Sequence, residues 1–306
     1  MTRHLLTVGD LAKEDVLELI DSGLRLKRRH DVGIFNAPLR NKVIALLFEK
    51  PSTRTRVSFE AGIDQLGASS LYLAPDQLQL KRGEPIKDTA RVLARYVDAV
   101  VVRTFGHDTL EEFARYSTVP IVNGLSDLYH PCQVLSDLLT IKERGIDLDE
   151  LVIAYVGDGN NVCHSWLLAS ALLGFELKVA TPEGFRPRSE IFEQAASKNP
   201  KITWTSDPRE AVSGVGVVYT DVWASMGQED EADARRGVFE PYQVNDELLK
   251  SAPKDALVMH CLPAHRGEEI TDDVIEGPQS IVFDEAENRM HLQKALLVYL
   301  LKGFMP

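Results

Sequence analysis

The chain has 306 residues, 44% of them hydrophobic, enough for one large or two medium domains with a sizeable core. Its formal net charge of -12, with no compensating basic block, argues against a nucleic-acid or acidic-membrane partner, though not against a small anion met by clustered arginines. Three distant cysteines (Cys132, Cys163, Cys261) form no disulfide framework, Leu5, Leu6 and Val8 are too sparse for a signal peptide, and no apolar run is long enough for a membrane span, so a cytoplasmic setting is expected.

Residues 10–29 predict an amphipathic helix with Asp10 as its N-cap. Val43 to Phe48 reads as a buried strand. Pro51 and Ser52 break it, and a helix with Val57, Phe59, Ile63 and Leu66 as apolar positions follows. Leu71 to Leu73 is a short strand, and 76–85 a polar loop long enough to be functional. A helix over 89–96 leads to the strand Ala99–Val102, which ends at Arg103. A helix over 109–116 precedes the strand Val119–Val122, and Asn123-Gly124 reads as a turn. The helix after Pro131 ends near Gly145.

The pattern then restarts. Leu151–Val156 is a strand closed by Gly157-Asp158-Gly159, followed by a helix over 162–173 and strands at 176–180 and 202–205. A short helix over 207–212 and the strand Val215–Tyr219 lead into a polar segment, 221–240. Strands are expected at Leu257–Met259 and Ile281–Phe283, and a long helix at 285–303. This alternation predicts an α/β chain of two doubly wound parallel-sheet domains with the active site in the cleft between them. The restart divides the chain into 1–146, 147–285 and a C-terminal helix, 286–306, crossing back to the first domain.

In such sheets ligands sit beyond the carboxyl ends of the strands. The first strand there meets a helix start at Ser52-Thr53-Arg54-Thr55-Arg56. Free N–H groups and the helix dipole favour an anion at such a start, and three hydroxyls and two guanidiniums stand with them. This is a phosphate cradle without a glycine-rich loop; the plainer alternative is a surface cap with solvated arginines. The next strand ends deliver Arg103, then His130 and Gln133, then Asn160 and Asn161, Asp221 and Ser225, and Cys261. Singly, each has a structural explanation: a satisfied loop histidine, an inert thiol, an ordinary cap. Jointly, one topology gathers them. Arg54, Arg56, Arg103, His130 and Gln133 suit a phosphorylated ligand with a carbonyl and an amide. Asn161, Asp221, Ser225 and Cys261 suit an amino acid, with a carboxylate for its ammonium group. An activated phosphate and a nucleophile together predict group transfer.

Four motifs, Ser52-Thr53-Arg54-Thr55-Arg56, His130-Pro131-Cys132-Gln133, Asp221-Val222-Trp223-Ala224-Ser225-Met226-Gly227 and His260-Cys261-Leu262-Pro263, stand in the order and spacing of a known family. The chain resembles the carbamoyltransferases, and closely the ornithine carbamoyltransferases, over essentially its whole length. The resemblance implies a carbamoyl phosphate-binding domain over 1–146 and an ornithine-binding domain over 147–285. It implies transfer of the carbamoyl group of carbamoyl phosphate to the δ-amine of L-ornithine, giving L-citrulline and phosphate in arginine biosynthesis, with no cofactor and no metal. By motif match, Ser52, Thr53, Arg54 and Thr55 would hold the phosphate and Arg103 would bridge it to the carbonyl oxygen. His130 and Gln133, with Pro131 and Cys132 beside them, would bind the carbamoyl group. Gln79 matches a glutamine that contacts carbamoyl phosphate, on a loop that in relatives packs against a neighbouring subunit. That implies a homotrimer or a multiple of trimers. Asn161, Asp221, Ser225 and Met226 would bind ornithine. Cys261 and Leu262 would lie at the reacting centre, and Arg289 would reach the carbamoyl oxygen from the second domain's end. Arg54, Arg103, His130, Asp221, Cys261 and Arg289 form the expected catalytic set.

Two other classes fit less well. Gly157 and Gly159 follow a strand and open a helix as in a dinucleotide fingerprint, with Glu183 past the next strand, but Val162 stands where the third glycine belongs. The pairs His130/Cys132, Cys163/His164 and His260/Cys261 lack the ligand spacing of a zinc site.

Overall fold

The computed structural model describes residues 2–34, 36–74, 78–224 and 232–303. It contains two compact units, residues 1–140 with 287–306, and residues 141–286.

The first unit is built on four parallel strands, β1 (Val43–Phe48), β2 (Ser69–Leu73), β3 (Ala99–Arg103) and β4 (Ile121–Leu125), in the order β2-β1-β3-β4. Its helices are α1 (Lys13–Asp31), α2 (Thr53–Gln65), α3 (Ile86–Leu93), α4 (His107–Tyr116) and α5 (Pro131–Glu143), the last continuing into the second unit's residues. β1 and β3 are buried along nearly their whole length, which is why they read as unbroken apolar runs. Ala45, Leu47, Val100, Val102 and Ile121 pack with Val97, Leu110 and Phe113. Because β2 lies on one side of β1 and β3 on the other, the strand order reverses between β1 and β3. The register pairs Phe48 with Arg103 there, so the crevice at the carboxyl ends opens between the segments that follow these residues.

The second unit has five parallel strands, β5 (Val152–Val156), β6 (Glu176–Ala180), β7 (Ile202–Thr205), β8 (Val217–Thr220) and β9 (Leu257–His260), in the order β7-β6-β5-β8-β9. Helices α6 (Asn161–Leu173), α7 (Ser189–Lys198), α8 (Pro208–Val212), α9 (Ala232–Phe239), α10 (Asp246–Leu249) and α11 (Asp272–Ile275) connect them. Its core joins Val156, Val218 and Val258 to Trp223, Phe239 and Ile270. The reversal falls between β5 and β8, where Val156 pairs with Thr220. The last helix, α12 (Val282–Lys302), starts in the second unit, and from Glu287 on it belongs to the first. No helix among the described residues is long and apolar enough to cross a membrane.

The structure departs from the sequence reading at several places. Asp10 caps no long helix: its Oδ2 accepts from Leu6 N and Thr7 N, closing a 3-10 turn, and α1 starts at Lys13 after Ala12. Asn123-Gly124 is not a turn but part of β4, with Asn123 paired to Val102. Ile281–Phe283 is not a strand. Ser280 bridges to Val258, Ile281 N donates to Val258 O at 3.0 Å, and α12 begins at the next residue. Helices α7 and α9 lie where no helix was expected.

Candidate active site

In the first unit the chain leaves β1 at Phe48 and immediately crosses toward β3. Glu49 N donates to Arg103 O at 2.7 Å, and Thr104 Oγ1 donates to the Glu49 carboxylate. Ser52 then sits in extended backbone as the N-cap of α2, its Oγ accepting from Thr55 N at 3.3 Å. A cap satisfies one orphan donor of the first turn and leaves the others facing outward. Thr53 is exposed, Arg54 half-buried and Thr55 buried. Arg56, counted in the cradle from sequence, is instead engaged elsewhere: it pairs with Glu60 at 3.0 Å and lies 3.8 Å from the centroid of the Tyr72 ring.

Arg289 ties this helix start to the start of α5. Its Nη2 donates to Thr55 Oγ1 at 2.8 Å and its Nη1 to Gln133 Oε1 at 2.9 Å, and Gln133 Nε2 donates to Asp137 Oδ1 at 2.8 Å. All four residues are buried. Arg289 therefore works within the first unit, although in sequence it follows the second. His130, just before α5, is buried as well. Burial pushes its imidazole well below the usual range, and the nearby Arg289 and Arg103 guanidiniums push it the same way. A neutral ring offers one N–H donor and one acceptor at neutral pH. Cys132 turns inward: its Sγ donates to Asn123 O at 3.4 Å, and burial pushes its thiol up to about 12. Pro131 is the first residue of α5. Lys50, also buried, pairs with Asp127 and lies 4.2 Å from the Phe105 ring centroid. This joins the segments that follow β1, β3 and β4. Gln79 is exposed on a short 3-10 stretch, Gln79–Arg82, where its Oε1 faces Arg82 Nη1 at 3.5 Å. Arg54, Arg103, His130, Gln133 and Arg289 thus come from the ends of β1, β3 and β4 and from α12. They offer guanidinium and imidazole donors, a set suited to an anion bearing a carbonyl.

The second unit centres on Asp221, directly after β8. Its Oδ1 accepts from Cys261 Sγ at 3.0 Å and from Val222 N at 2.8 Å, and its Oδ2 accepts from Asn160 Nδ2 at 2.7 Å. Asn160 also caps α6, its Oδ1 accepting from Val162 N at 2.9 Å, Cys163 N at 3.2 Å and Tyr155 OH at 3.0 Å. Asn161, expected at the amine site, is the buried first residue of α6 and stands next to Asn160. Cys261 follows β9, and Leu262 has a φ of 55°. His260 is locked from three sides. Its Nε2 meets Glu269 Oε1 at 2.9 Å, its Nδ1 accepts from Leu262 N at 2.9 Å, and its backbone N donates to Glu285 Oε2 at 2.9 Å. Asp221, His260 and Cys261 bring ligand atoms within 4.8 Å of one another, but both ring nitrogens of His260 are committed to the protein. Ser225 and Met226 lie outside the described residues.

The glycine pair that resembled a nucleotide fingerprint is explained by packing. Gly157 has a φ of 136°, and a Cβ at Gly159 would lie 2.2 Å from Pro187 N. Between them Asp158 pairs with Arg235 at 3.1 Å; burial raises its carboxyl to about 6 against the pull of that arginine. Arg235 also donates to Trp223 O at 2.7 Å, which steadies the segment after Asp221.

The partners behind these groups were not singled out from sequence. Asp137, Glu269 and Glu285 are fully buried carboxylates, but in sequence each looks like any acidic residue on a polar helix face or loop. Asn160 did carry a signal, as a cap candidate at a strand end.

Two family models match the chain. Residues 3–143 match the carbamoyl-P binding domain of aspartate/ornithine carbamoyltransferase, and residues 149–300 match its Asp/Orn binding domain. Among curated relatives, an ornithine carbamoyltransferase of Archaeoglobus fulgidus is 56% identical over 98% of this chain and 97% of its own length. One of Methanoculleus marisnigri is 55% identical over 100% of this chain and 99% of its own. The solved structure of the Pyrococcus furiosus ornithine carbamoyltransferase superposes with a TM-score of 0.95 at 48% identity, covering 99% of this chain and 98% of that one. By these matches, which run nearly end to end, the chain belongs to the aspartate/ornithine carbamoyltransferase family.

Proposed function

We propose that the chain is an ornithine carbamoyltransferase, moving the carbamoyl group of carbamoyl phosphate to the δ-amine of L-ornithine and releasing L-citrulline and phosphate. The observation that carries the reading is Arg289, buried and bonded at once to Thr55 of the anion cradle and to Gln133 beside the neutral His130. Such a group serves a ligand whose phosphate and carbonyl are adjacent. Relatives of 49–56% identity named ornithine carbamoyltransferase support the same substrates.

In this reading Ser52, Thr53, Arg54 and Thr55 hold the phosphate and Arg103 spans phosphate and carbonyl oxygen. His130, Gln133 and Arg289 address the carbamoyl group, with Pro131, Cys132, Cys261 and Leu262 around it. Gln79 contributes from its exposed loop. Asp221, Asn161, Ser225 and Met226 hold ornithine. The free ornithine δ-amine, like a lysine amine, is protonated at neutral pH and must lose one proton before it attacks. Asp221, whose carboxylate already accepts from Cys261, Val222 and Asn160, orients that amine. Attack forms the new C–N bond and places negative charge on the carbonyl oxygen. Collapse breaks the C–O bond to phosphate, and the nitrogen loses its second proton. Arg54, Arg103, Arg289 and the N–H of neutral His130 stabilise the charge on oxygen and leaving group; one donor of this kind is typically worth about 10²–10³ in rate. We assign the active form as a trimer or a multiple of trimers in the cytoplasm, serving arginine synthesis. The test is a citrulline assay with carbamoyl phosphate and ornithine, putrescine or aspartate in turn. Turnover of ornithine is expected; turnover of another amine in its place overturns the assignment. Sedimentation of the purified protein checks the trimer.

A further inference from the structure

We infer that the buried His260 imidazole is a positioning residue for the amine site: by accepting from Leu262 N it holds the turn at Cys261-Leu262 in a left-handed backbone conformation, and so sets the Cys261 thiol against Asp221. This rests on the reading that Asp221 orients the amine of the second substrate.

Leu262 has a φ of 55°, a conformation that a residue with a Cβ rarely adopts and that persists only where its surroundings over-determine it. The bond that holds it there runs back to His260. Leu262 N donates to His260 Nδ1 at 2.9 Å, closing the turn through the imidazole. A backbone N–H can only donate, so Nδ1 carries no proton and the ring proton stands on Nε2, which meets Glu269 Oε1 at 2.9 Å. The ring has no room to swing away. It is fully buried, the backbone N of His260 donates to Glu285 Oε2 at 2.9 Å, and Glu269 Oε1 also accepts from His265 N at 2.7 Å.

Between His260 and Leu262 stands Cys261, whose Sγ donates to Asp221 Oδ1 at 3.0 Å. The direction of that side chain is set by the peptide planes on its two sides. The plane before it is pinned at the end of β9, where His260 pairs with Thr220. The plane after it is pinned by the imidazole, because fixing the Leu262 N–H fixes the whole planar peptide that joins it to Cys261. Without an acceptor at Nδ1, Leu262 is free to relax toward negative φ. That peptide then turns, and the thiol leaves Asp221. A carboxylate that has lost one of its partners settles differently toward the amine, and a misplacement of about 1 Å in a positioned group can cost about 10²-fold in rate. His260 touches neither substrate in this scheme; it acts through Leu262 and Cys261.

The test is steady-state citrulline formation by the full chain and by variants that separate the two ring nitrogens. Asparagine places its Oδ1 where Nδ1 stands and does not reach Glu269. Glutamine reaches Glu269 with its amide and offers no acceptor at the Nδ1 position. His260→Gln is expected to lower kcat about ten- to a hundredfold, with inhibition by inorganic phosphate unchanged, while His260→Asn stays within about threefold of wild type. A Leu262→Gly background supplies a second measurement: glycine adopts this φ unaided, so His260→Gln is expected to cost about threefold less there, or better, than beside leucine. That pair decides the matter if the asparagine variant does not fold. A wild type that makes no citrulline refutes the functional reading. A wild type that makes it, with a glutamine variant of equal kcat, overturns the role of His260. Equal losses in the asparagine and glutamine variants also overturn it, as does an equal cost of His260→Gln beside leucine and beside glycine.

Discussion

Replacing His291 by glutamine should flatten the acid side of the stability profile. His291 lies on α12, fully buried, with neither ring nitrogen in a hydrogen bond among the described residues. Burial pushes its imidazole down to about 3, and Lys294, Lys27 and His30 add to the effect. The unfolded chain takes up this proton near pH 6.5, the folded chain only near pH 3. The contribution is therefore fully present above pH 6.5 and is lost as pH falls through the window below it. At pH 5 the expected loss is RT ln(1 + 10^1.5), about 2 kcal/mol, rising to about 4 kcal/mol at pH 3. The assay is urea unfolding of wild type and His291→Gln at a series of pH values from 7.5 to 5. His4, His107 and His130 are also shifted down by burial, but both proteins share them, so the difference between the two curves isolates His291. That difference should move by about 2 kcal/mol across the series in favour of the variant. Parallel curves would show that His291 is protonated in the native state, with Glu287 Oε1, 3.7 Å from its Nε2, as the partner that holds the proton.

Arg289→Met leaves Thr55 and Gln133 without their shared donor and should lower kcat about 10²–10³-fold; a change confined to KM would mean Arg289 only binds. Asn160→Ala removes both the cap of α6 and a donor to Asp221. It should cost about 1 kcal/mol in unfolding experiments and raise KM for the amine; an unchanged KM would restrict Asn160 to capping. Gly159→Ala sets a Cβ against the backbone of residues 185–187, which no side-chain rotation relieves, and should destabilise by about 3 kcal/mol. A melting temperature equal to wild type would mean that this backbone yields freely.

The sheet strands were legible because parallel strands covered on both faces read as plain apolar runs, and β1 has the bounds that its sequence predicts. Ser52, Arg54, Arg103, His130, Asp221 and Cys261 were legible for a topological reason, since they follow strands that the sequence already marked, whereas Arg289 lies within α12 and follows no strand. What sequence missed was structure held by tertiary contacts. Helix α9 has little apolar patterning and is fastened by Arg235 to Asp158 and to Trp223 O. Val282 and Phe283 have strand propensity, yet they start α12, where Glu285 is gripped by His260 N and Tyr219 OH. Asn123 and Gly124 look like a turn, but Asn123 Nδ2 donates to Leu6 O at 2.8 Å, and the chain segment near the N-terminus keeps the strand going. Asp137 was invisible because its significance is a direction, toward Gln133, and not a residue type.

The line Thr55–Arg289–Gln133–Asp137 also bears on how this sequence can drift. Each bond along it joins a buried donor to a buried acceptor, so a change at one position strands its neighbour in a dry interior. A glutamate at 133 would face Asp137 with like charge, and a lysine at 289 would give up one of two bonds. Among divergent homologues, positions 133, 137 and 289 are then expected to be replaced in concert or to stay, even though 133 and 289 are more than 150 residues apart in the chain.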